Sequence, residues 1–222
     1  MLQPADEPAG FRYTDSYAFM QKIRTGMPPM IICVACNGGV QGKEENENIP
    51  ETADEIADSV AAAHEAGAAM VHVHARDPKN LAIGATDAES WREVLAKIRK
   101  RSPDIIINAT TGGGPGMTMQ ERLSSLQAGP EVASLNLAPD MSKFRLKARL
   151  APLPNPHPAM DIDECVPFTY GQISQFAAEM KRRDIKPELE YYHPGCAWVV
   201  RDLIEHDLLR SEEHTSELQS PA

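Results

Sequence analysis

Residues 71–77 read Val-His-Val-His-Ala-Arg-Asp, and this stretch decides how the rest of the chain is interpreted. Side chains alternate between the two faces of a β-strand, which predicts His72 and His74 on one face and Val71 and Val73 on the other. Two neutral imidazoles that point the same way supply two of the three protein ligands that a catalytic Zn²⁺ commonly uses. The pattern therefore favours a metal pair at a strand end over two hydrogen-bonded core histidines.

Strand and helix signals alternate on both sides of this stretch. Apolar runs predict strands at 30–36, 69–75, 105–109, 132–137 and 187–192. Amphipathic helices follow them, beginning near Thr52, Asp87, Thr118, Tyr170 and Cys196. This alternation predicts an α/β protein with a parallel sheet, namely an incomplete (β/α)8 TIM barrel of about five βα units. A doubly wound sheet is the alternative.

Polar residues gather where the predicted strands end, as they do in a barrel active site. These residues are Asn37, His72, His74, Thr110, Ser134, Asn136 and Glu190. A complete barrel needs about 250 residues, so five units leave about three unaccounted for.

Composition excludes several classes of function. The chain has 222 residues, 42% of them hydrophobic, and a net charge of −10, so nucleic acid and anionic membrane surfaces are unfavourable partners. No apolar run reaches membrane-spanning length, and residues 1–10 lack the pattern of a signal peptide. The four cysteines are scattered, which indicates reduced thiols. A cytoplasmic protein is expected.

Three segments are predicted along the chain. Residues 1–29 form an N-terminal extension expected to pack across one end of the barrel, and 30–209 form the partial catalytic barrel. Residues 210–222 fit no element and resemble an in-frame translation of a sequencing adapter, so they are excluded from the fold. A natural acidic tail is the alternative for this last segment.

Two connections have open interpretations. The glycine-rich run 110–116 between a strand and a helix can bind an anion through its backbone amides, or it is simply a tight turn. Residues 138–168 lack periodicity and accumulate prolines, which predicts a long loop that acts as a lid or an oligomer contact.

Several motifs in a fixed order make the chain similar to the β-keto acid cleavage enzyme family, whose members include 3-keto-5-aminohexanoate cleavage enzyme. They are Glu-Ala-Gly-Ala at 65–68 before the 71–77 stretch, Ile-Ile-Ile-Asn-Ala-Thr-Thr-Gly-Gly at 105–113, Pro-Glu-Val-Ala-Ser-Leu-Asn at 130–136 and Pro-Glu-Leu-Glu at 187–190. The order of the motifs is more specific than any one of them. The resemblance covers about residues 30–209.

The resemblance implies a TIM barrel with Zn²⁺ at its C-terminal face, which converts a β-keto acid and acetyl-CoA into acetoacetate and a new acyl-CoA. It implies that His72 and His74 bind the metal, that Thr110 and Ser134 contact substrate through their hydroxyls, and that Glu190 is the acidic residue of strand five. The family's third metal ligand lies in a late Gly-x-Glu-Asp-Asn motif, near a catalytic Asp and an Arg. None of these occurs before Leu209, so the chain is expected to be a truncated and inactive fragment.

Further residues are candidates for substrate binding. Asn136 lies at a strand end, and Arg76 can bind a carboxylate or the CoA phosphates, with pairing to Asp77 as the alternative. Val40 falls near the position where the amine-specific member carries a Glu, so a substrate without an amine is expected. Thr110 and Glu190 are the catalytic candidates, although a buried strand-end Glu is often only a structural acceptor.

Two other functions stay open from the sequence alone. An amidohydrolase-type metal hydrolase also uses His-x-His at a strand end, but on the first strand and with later histidine ligands. A non-catalytic fragment with open strand edges is the other reading. The full-length protein is expected to be a homo-oligomer.

Overall fold

A computed structural model describes residues 31–114 and 116–209, together with positions 17, 20, 21, 24 and 26. The chain divides into two compact units, Met1–Ile32 and Cys33–Ala222. In the first unit, positions 17, 20, 21 and 24 are helical, and the Gln21 amide donates a hydrogen bond to the Tyr17 hydroxyl over 3.0 Å. The predicted packing of 1–29 and the predicted tail at 210–222 concern residues that otherwise lie outside the described part.

A sheet of five parallel strands lies at the centre of the second unit, with a two-stranded antiparallel hairpin after two of its strands. The strands in chain order are β1 (Cys33–Ala35), β2 (Met70–Val73), β3 (Arg76–Asp77), β4 (Asn80–Gly84), β5 (Ile106–Ala109), β6 (Val132–Asn136), β7 (Asp140–Leu146), β8 (Met160–Val166) and β9 (Lys186–Glu190). The sheet order β1-β2-β5-β6-β9 follows the chain. In a doubly wound sheet the order of the strands reverses partway across the sheet. The order found here does not reverse, which confirms consecutive units of a TIM barrel.

Helices follow each sheet strand. They are α1 (Ala53–Glu65), α2 (Ala88–Arg101), α3 (Met119–Arg122), α4 (Tyr170–Arg183) and α5 (Ala197–Glu205), with 3-10 turns at Ser125–Ala128 and Pro194–Cys196. Thr52 and Glu55 form the predicted capping box of α1, and Asp87 caps α2. Of the described helices, none has both the length and the apolar character to cross a membrane.

The helix predicted to begin near Thr118 is instead the short α3 followed by a 3-10 turn. The Ser125 hydroxyl donates a hydrogen bond to the Arg122 carbonyl over 3.4 Å. Serine side chains that compete for backbone carbonyls disfavour a continuing α-helix.

The hydrophobic core lies between the sheet and its helices. Val71 and Val73 are fully buried against α1 and α2, and Leu135 is buried with Phe176 of α4. Because side chains alternate along a strand, the opposite face of the sheet carries the polar residues. This alternation turns His72, Asn108, Ser134 and Glu188 toward the interior of the barrel.

Two predicted elements differ from the structure. The loop predicted at 138–168 contains the hairpin of β7 and β8, in which Asp140 pairs with Val166 and Leu146 with Met160. Its faces mix charged and apolar residues, so no clean alternation marked it as strand. The continuous apolar run at 30–36 is typical of a strand buried on both faces, but β1 is an edge strand with only intermediate or exposed positions.

Candidate active site

His72 and His74 lie at the carboxyl end of β2 and face the same side of the sheet, as predicted. Their Nε2 atoms are 3.1 Å apart, and the two rings meet edge to face with centroids separated by 5.0 Å. Neighbouring nitrogen ligands of a tetrahedral Zn²⁺ lie about 3.3 Å apart when each Zn–N bond is about 2.0–2.1 Å. The observed spacing fits two nitrogens that share one ion, and it is equally the length of a hydrogen bond between the two rings.

Both imidazoles are neutral at ordinary pH. Burial lowers the pKa of His72 against the opposing charge of Glu188, and burial together with the charges of His72 and Arg76 lowers the pKa of His74 to about 3. Metal ions bind the neutral imidazole. The burial of this pair thus favours the form that can coordinate a metal.

Neighbouring residues fix the position of each histidine. The Asn37 side chain accepts a hydrogen bond from the His74 amide over 3.0 Å and donates one to the His74 carbonyl over 2.8 Å. Gly39 lies against the ring, since a Cβ at Gly39 would stand 3.1 Å from Nδ1 of His74. The other histidine has Glu188 Oε2 at 3.9 Å from its Nδ1. The contacts of Asn37, Gly39 and Glu188 thus lie on the backbone and Nδ1 sides of the two histidines.

A cavity of about 280 Å³ opens in front of the histidines. Four other residues singled out from the sequence line it, namely Val40, Thr110, Asn136 and Glu190. The inner face of the hairpin formed by β7 and β8 covers the cavity with residues that the sequence did not predict for the site, namely Asp140, Ser142, Phe144, Ile162, Glu164 and Val166. The structure thus brings most of the predicted site residues to one place.

Glu190 belongs to a short hydrogen-bonded chain within this cavity. The Tyr192 hydroxyl donates to Oε2 of Glu190 over 2.5 Å and accepts from Nδ2 of Asn136 over 3.4 Å. Burial, with the charges of Glu188 and Asp140, raises the pKa of the Glu190 carboxyl. A carboxyl with a raised pKa can hold or release a proton nearer to neutral pH.

Two predicted site residues, Arg76 and Ser134, use their side chains in hydrogen bonds within the protein. Arg76 is 3% exposed, and its guanidinium donates to the carbonyl oxygens of Gly38, Gly39 and Gln41 over 2.5–3.2 Å. These hydrogen bonds replace the pairing with Asp77 that was the alternative to substrate binding. Ser134 is fully buried below the cavity. Its Oγ accepts from the Thr111 amide over 2.9 Å. For both residues, contact with substrate stays a prediction.

Two amides of the glycine-rich run donate hydrogen bonds within the protein. Thr110 Oγ1 accepts from the Gly112 amide over 3.1 Å, and Met117 Sδ accepts from the Gly114 amide over 3.0 Å. Arg122 packs behind the run, stacks over Phe168 at 3.9 Å and donates to the Thr111 carbonyl over 3.3 Å. These contacts favour the tight-turn interpretation over anion binding.

Glu188 is a site residue that the sequence analysis quoted within the motif at 187–190 but did not select. It accepts a hydrogen bond from Asn108 Nδ2 and lies beside His72. Within the described residues, no group of three His, Cys, Asp or Glu side chains is arranged to hold a metal ion. The two histidines are thus the metal-binding candidates that this part of the chain offers.

Comparisons with known proteins point to one family. The family profile described as beta-keto acid cleavage enzyme matches residues 29–218. The 3-keto-5-aminohexanoate cleavage enzyme of Fusobacterium nucleatum is 32% identical over 169 residues, which are 76% of this chain and 55% of that protein. The 3-oxoadipate:acetyl-CoA acetyltransferase of Cupriavidus necator is 34% identical over 164 residues, 74% of this chain and 50% of that protein. The chain spans about half the length of these relatives.

A solved structure supports the fold. The ternary complex of ObcA with a C4-CoA adduct and oxalate superposes with a TM-score of 0.51 at 21% identity, covering 72% of this chain and 35% of that one. At this identity, the likeness concerns the fold alone.

Proposed function

Because this chain belongs to the beta-keto acid cleavage enzyme family, we propose that it forms part of an enzyme that exchanges acyl groups between a β-keto acid and acetyl-CoA. The products are acetoacetate and a new acyl-CoA, so all carbon atoms and the thioester are conserved. The names of the two relatives, a cleavage enzyme and an acetyl-CoA acetyltransferase, support this class of reaction.

One observation carries the proposal: two neutral imidazoles converge, with Nε2 atoms 3.1 Å apart, on a cavity at the carboxyl ends of parallel strands. Barrel enzymes place their active sites at this end. His72 and His74 would hold Zn²⁺ there, and the bound ion would supply a Lewis acid for the oxygens of a keto acid. Further ligands would come from outside the described residues.

The residues of the chain itself have separate roles. Thr110 lines the cavity, and its hydroxyl would donate a hydrogen bond to a substrate oxygen that gains negative charge as carbon–carbon bonds change. Glu190 would move a proton, since its carboxyl faces the same cavity and burial raises its pKa. Tyr192 orients Glu190 through the hydrogen bond to Oε2.

We expect the 222-residue polypeptide alone to show little or no turnover. Its described residues supply two histidines to a metal that catalytic sites hold with three protein ligands, and it spans about half of its relatives. The proposed activity therefore belongs to a longer protein that contains this barrel segment.

The test is acetoacetate formation. Polypeptides that contain this chain, both the 222 residues and a longer gene product that includes them, are incubated with Zn²⁺, acetyl-CoA and a panel of β-keto acids. We expect acetoacetate and a new acyl-CoA from the longer product, and loss of both on His72→Ala. The substitution His206→Ala serves as control, because this side chain is 64% exposed. No acetoacetate from any keto acid in the panel would refute the proposal.

A further inference from the structure

The two neutral rings of His72 and His74 share two protons among four nitrogens. Their Nε2 atoms are 3.1 Å apart, which is the length of a hydrogen bond, whereas two bare lone pairs at this distance would repel each other. One Nε2 therefore carries a proton and the other accepts it. Either His72 holds its proton on Nδ1 and His74 on Nε2, or the two rings exchange these roles.

The Nδ1 side of His72 faces a buried carboxylate. Oε2 of Glu188 lies 3.9 Å from this nitrogen, and Glu188 is 6% exposed. The distance is longer than a hydrogen bond, so the carboxylate acts on the ring through its charge. A negative charge beside an imidazole favours a proton on the nitrogen that it faces. Glu188 therefore favours the form of His72 that is protonated on Nδ1.

Asn108 supplies an independent observation. It is fully buried, it pairs with His72 in the register of β2 and β5, and its Nδ2 donates a hydrogen bond to the same Oε2 of Glu188. Its Oδ1 has no hydrogen-bond partner among the described residues, although the Asn108 side chain acts on the protonation of His72. A buried acceptor needs a donor. A proton on Nδ1 of His72 is suited to serve both this oxygen and the carboxylate of Glu188.

The surroundings of His74 are different. Burial and the charges of His72 and Arg76 lower its pKa, and no carboxylate of the described residues is among the groups that act on it. Its Nδ1 faces Gly39, where a Cβ would stand 3.1 Å away. These contacts give no reason for a proton on Nδ1 of His74. The asymmetry between the two rings thus selects the first of the two arrangements.

We propose that Glu188 and Asn108 fix the proton of His72 on Nδ1, so that in the metal-free chain His74 donates its Nε2–H to the bare Nε2 of His72. Glu188 and Asn108 are positioning residues, because they act through His72. That ring is held in the form whose Nε2 lone pair can bind a metal, whereas His74 must first give up its Nε2 proton. This consequence for metal binding rests on the proposed function, but the proton positions themselves do not.

The test determines both tautomers by NMR. Long-range ¹H–¹⁵N correlation spectra of the ¹⁵N-labelled 222-residue chain are recorded without metal at about pH 8, above the ordinary histidine pKa of about 6.5. The ¹⁵N shift distinguishes a protonated ring nitrogen from a bare one, and the signals are assigned by their loss in His72→Ala and His74→Ala. We expect Nδ1–H at His72 and Nε2–H at His74. His193 is an internal reference for the Nε2–H form, because its Nδ1 accepts a hydrogen bond from the Gly195 amide over 3.1 Å.

Glu188→Gln removes the charge and keeps the size of the side chain. The ratio of Nδ1–H to Nε2–H at His72 should fall about 3-fold or more, the effect expected of one charge at this distance when the effective dielectric constant is about 20. The matched control is Glu164→Gln, which removes a carboxylate from the wall of the same cavity and should leave the ratio unchanged. A role of Glu188 in packing alone would not move this ratio.

Two results would overturn the inference: a proton on Nε2 of His72 in the parent chain, or equal effects of Glu188→Gln and Glu164→Gln. Circular dichroism checks that each variant is folded, and the spectrum of the parent chain tests the proton positions without any substitution. Either result leaves the proposed function standing, because the acetoacetate assay tests that function separately.

Discussion

The Nε2 atoms of His72 and His74 lie 3.1 Å apart, although the two residues are separated by only one position on a single strand. The two rings meet edge to face, and the hydrogen bonds of Asn37 to the backbone of His74 hold that strand end in place. Two neutral ring nitrogens this close together beside a cavity would supply two of the ligands of one metal ion.

Zn²⁺ binding should therefore depend on these two rings. We expect His72→Ala and His74→Ala each to weaken Zn²⁺ binding by at least about 10–100-fold. Removal of a residue that only supports a metal ligand already weakens binding by that amount. His206→Ala, on an exposed ring, should leave it unchanged. A competition titration against a coloured chelator measures all four proteins. Equal weakening by His206→Ala would show that binding is not at this site.

The raised pKa of Glu190 predicts a pH dependence of stability. The folded protein holds this proton at a pH where the unfolded chain has released it, so stability falls as pH rises from the ordinary glutamate pKa through the raised value. Glu190→Gln removes the titration. The melting temperature of the variant should equal that of the parent chain at low pH and exceed it above neutrality. The difference should be about 2–4 °C for each kcal/mol of unfolding free energy that the substitution restores.

Melting temperatures across pH 4–8 measure this effect. Glu65→Gln, an exposed position at the end of α1, is the matched control and should give curves parallel to those of the parent chain. A constant difference between Glu190→Gln and the parent at every pH would contradict the prediction.

Local sequence patterns were enough for the sheet and for the histidine pair. Alternation along 71–77 placed both rings on one face, and the apolar runs located all five sheet strands. Both signals reside within a few neighbouring residues. They needed no knowledge of which distant segments come together.

The rest of the site depends on contacts between distant parts of the chain. Asn108 and Glu188 are 80 residues apart in the sequence, and Arg149 and Glu51 are 98 residues apart. No local sequence pattern therefore predicts either contact. The hairpin at β7 and β8 was interpreted as loop, because its inward face alternates Asp, Ser and Phe rather than apolar residues. Its part in the cavity wall became visible only from the register of its strands and from the side chains that line the cavity.

Arg149 lies in the segment between β7 and β8 and links that segment to the loop before α1. Its fully buried guanidinium contacts Glu44 at 2.6 Å and Glu51 at 2.7 and 2.8 Å, and it donates to the Pro154 carbonyl. Arg149→Met leaves two buried carboxylates without their cation, which should cost about 3–5 kcal/mol of unfolding free energy. Urea unfolding monitored by circular dichroism measures the loss.

Arg145→Met provides the comparison for this substitution. Its side chain is 76% exposed and faces Asp161 at 3.6 Å, so the expected change is within about 0.5 kcal/mol. Similar losses for the two variants would mean that burial of the Arg149 cluster does not determine its contribution.

Gly113 and Gly116 separate two costs of adding a side chain in the glycine-rich run. Both have positive φ, +73° and +74°, so an alanine at either position carries similar backbone strain of about 1–3 kcal/mol. A Cβ at Gly113 would also stand 2.7 Å from Cγ of Arg122, whereas nothing lies within 4 Å of a Cβ at Gly116. We expect Gly113→Ala to destabilise the protein more than Gly116→Ala in urea unfolding, because Arg122 is itself held over Phe168 and by the Thr111 carbonyl and has little room to move. If the two substitutions lower the free energy of unfolding equally, the Arg122 side chain moves aside easily. It then does not restrain the glycine-rich turn that follows Thr110.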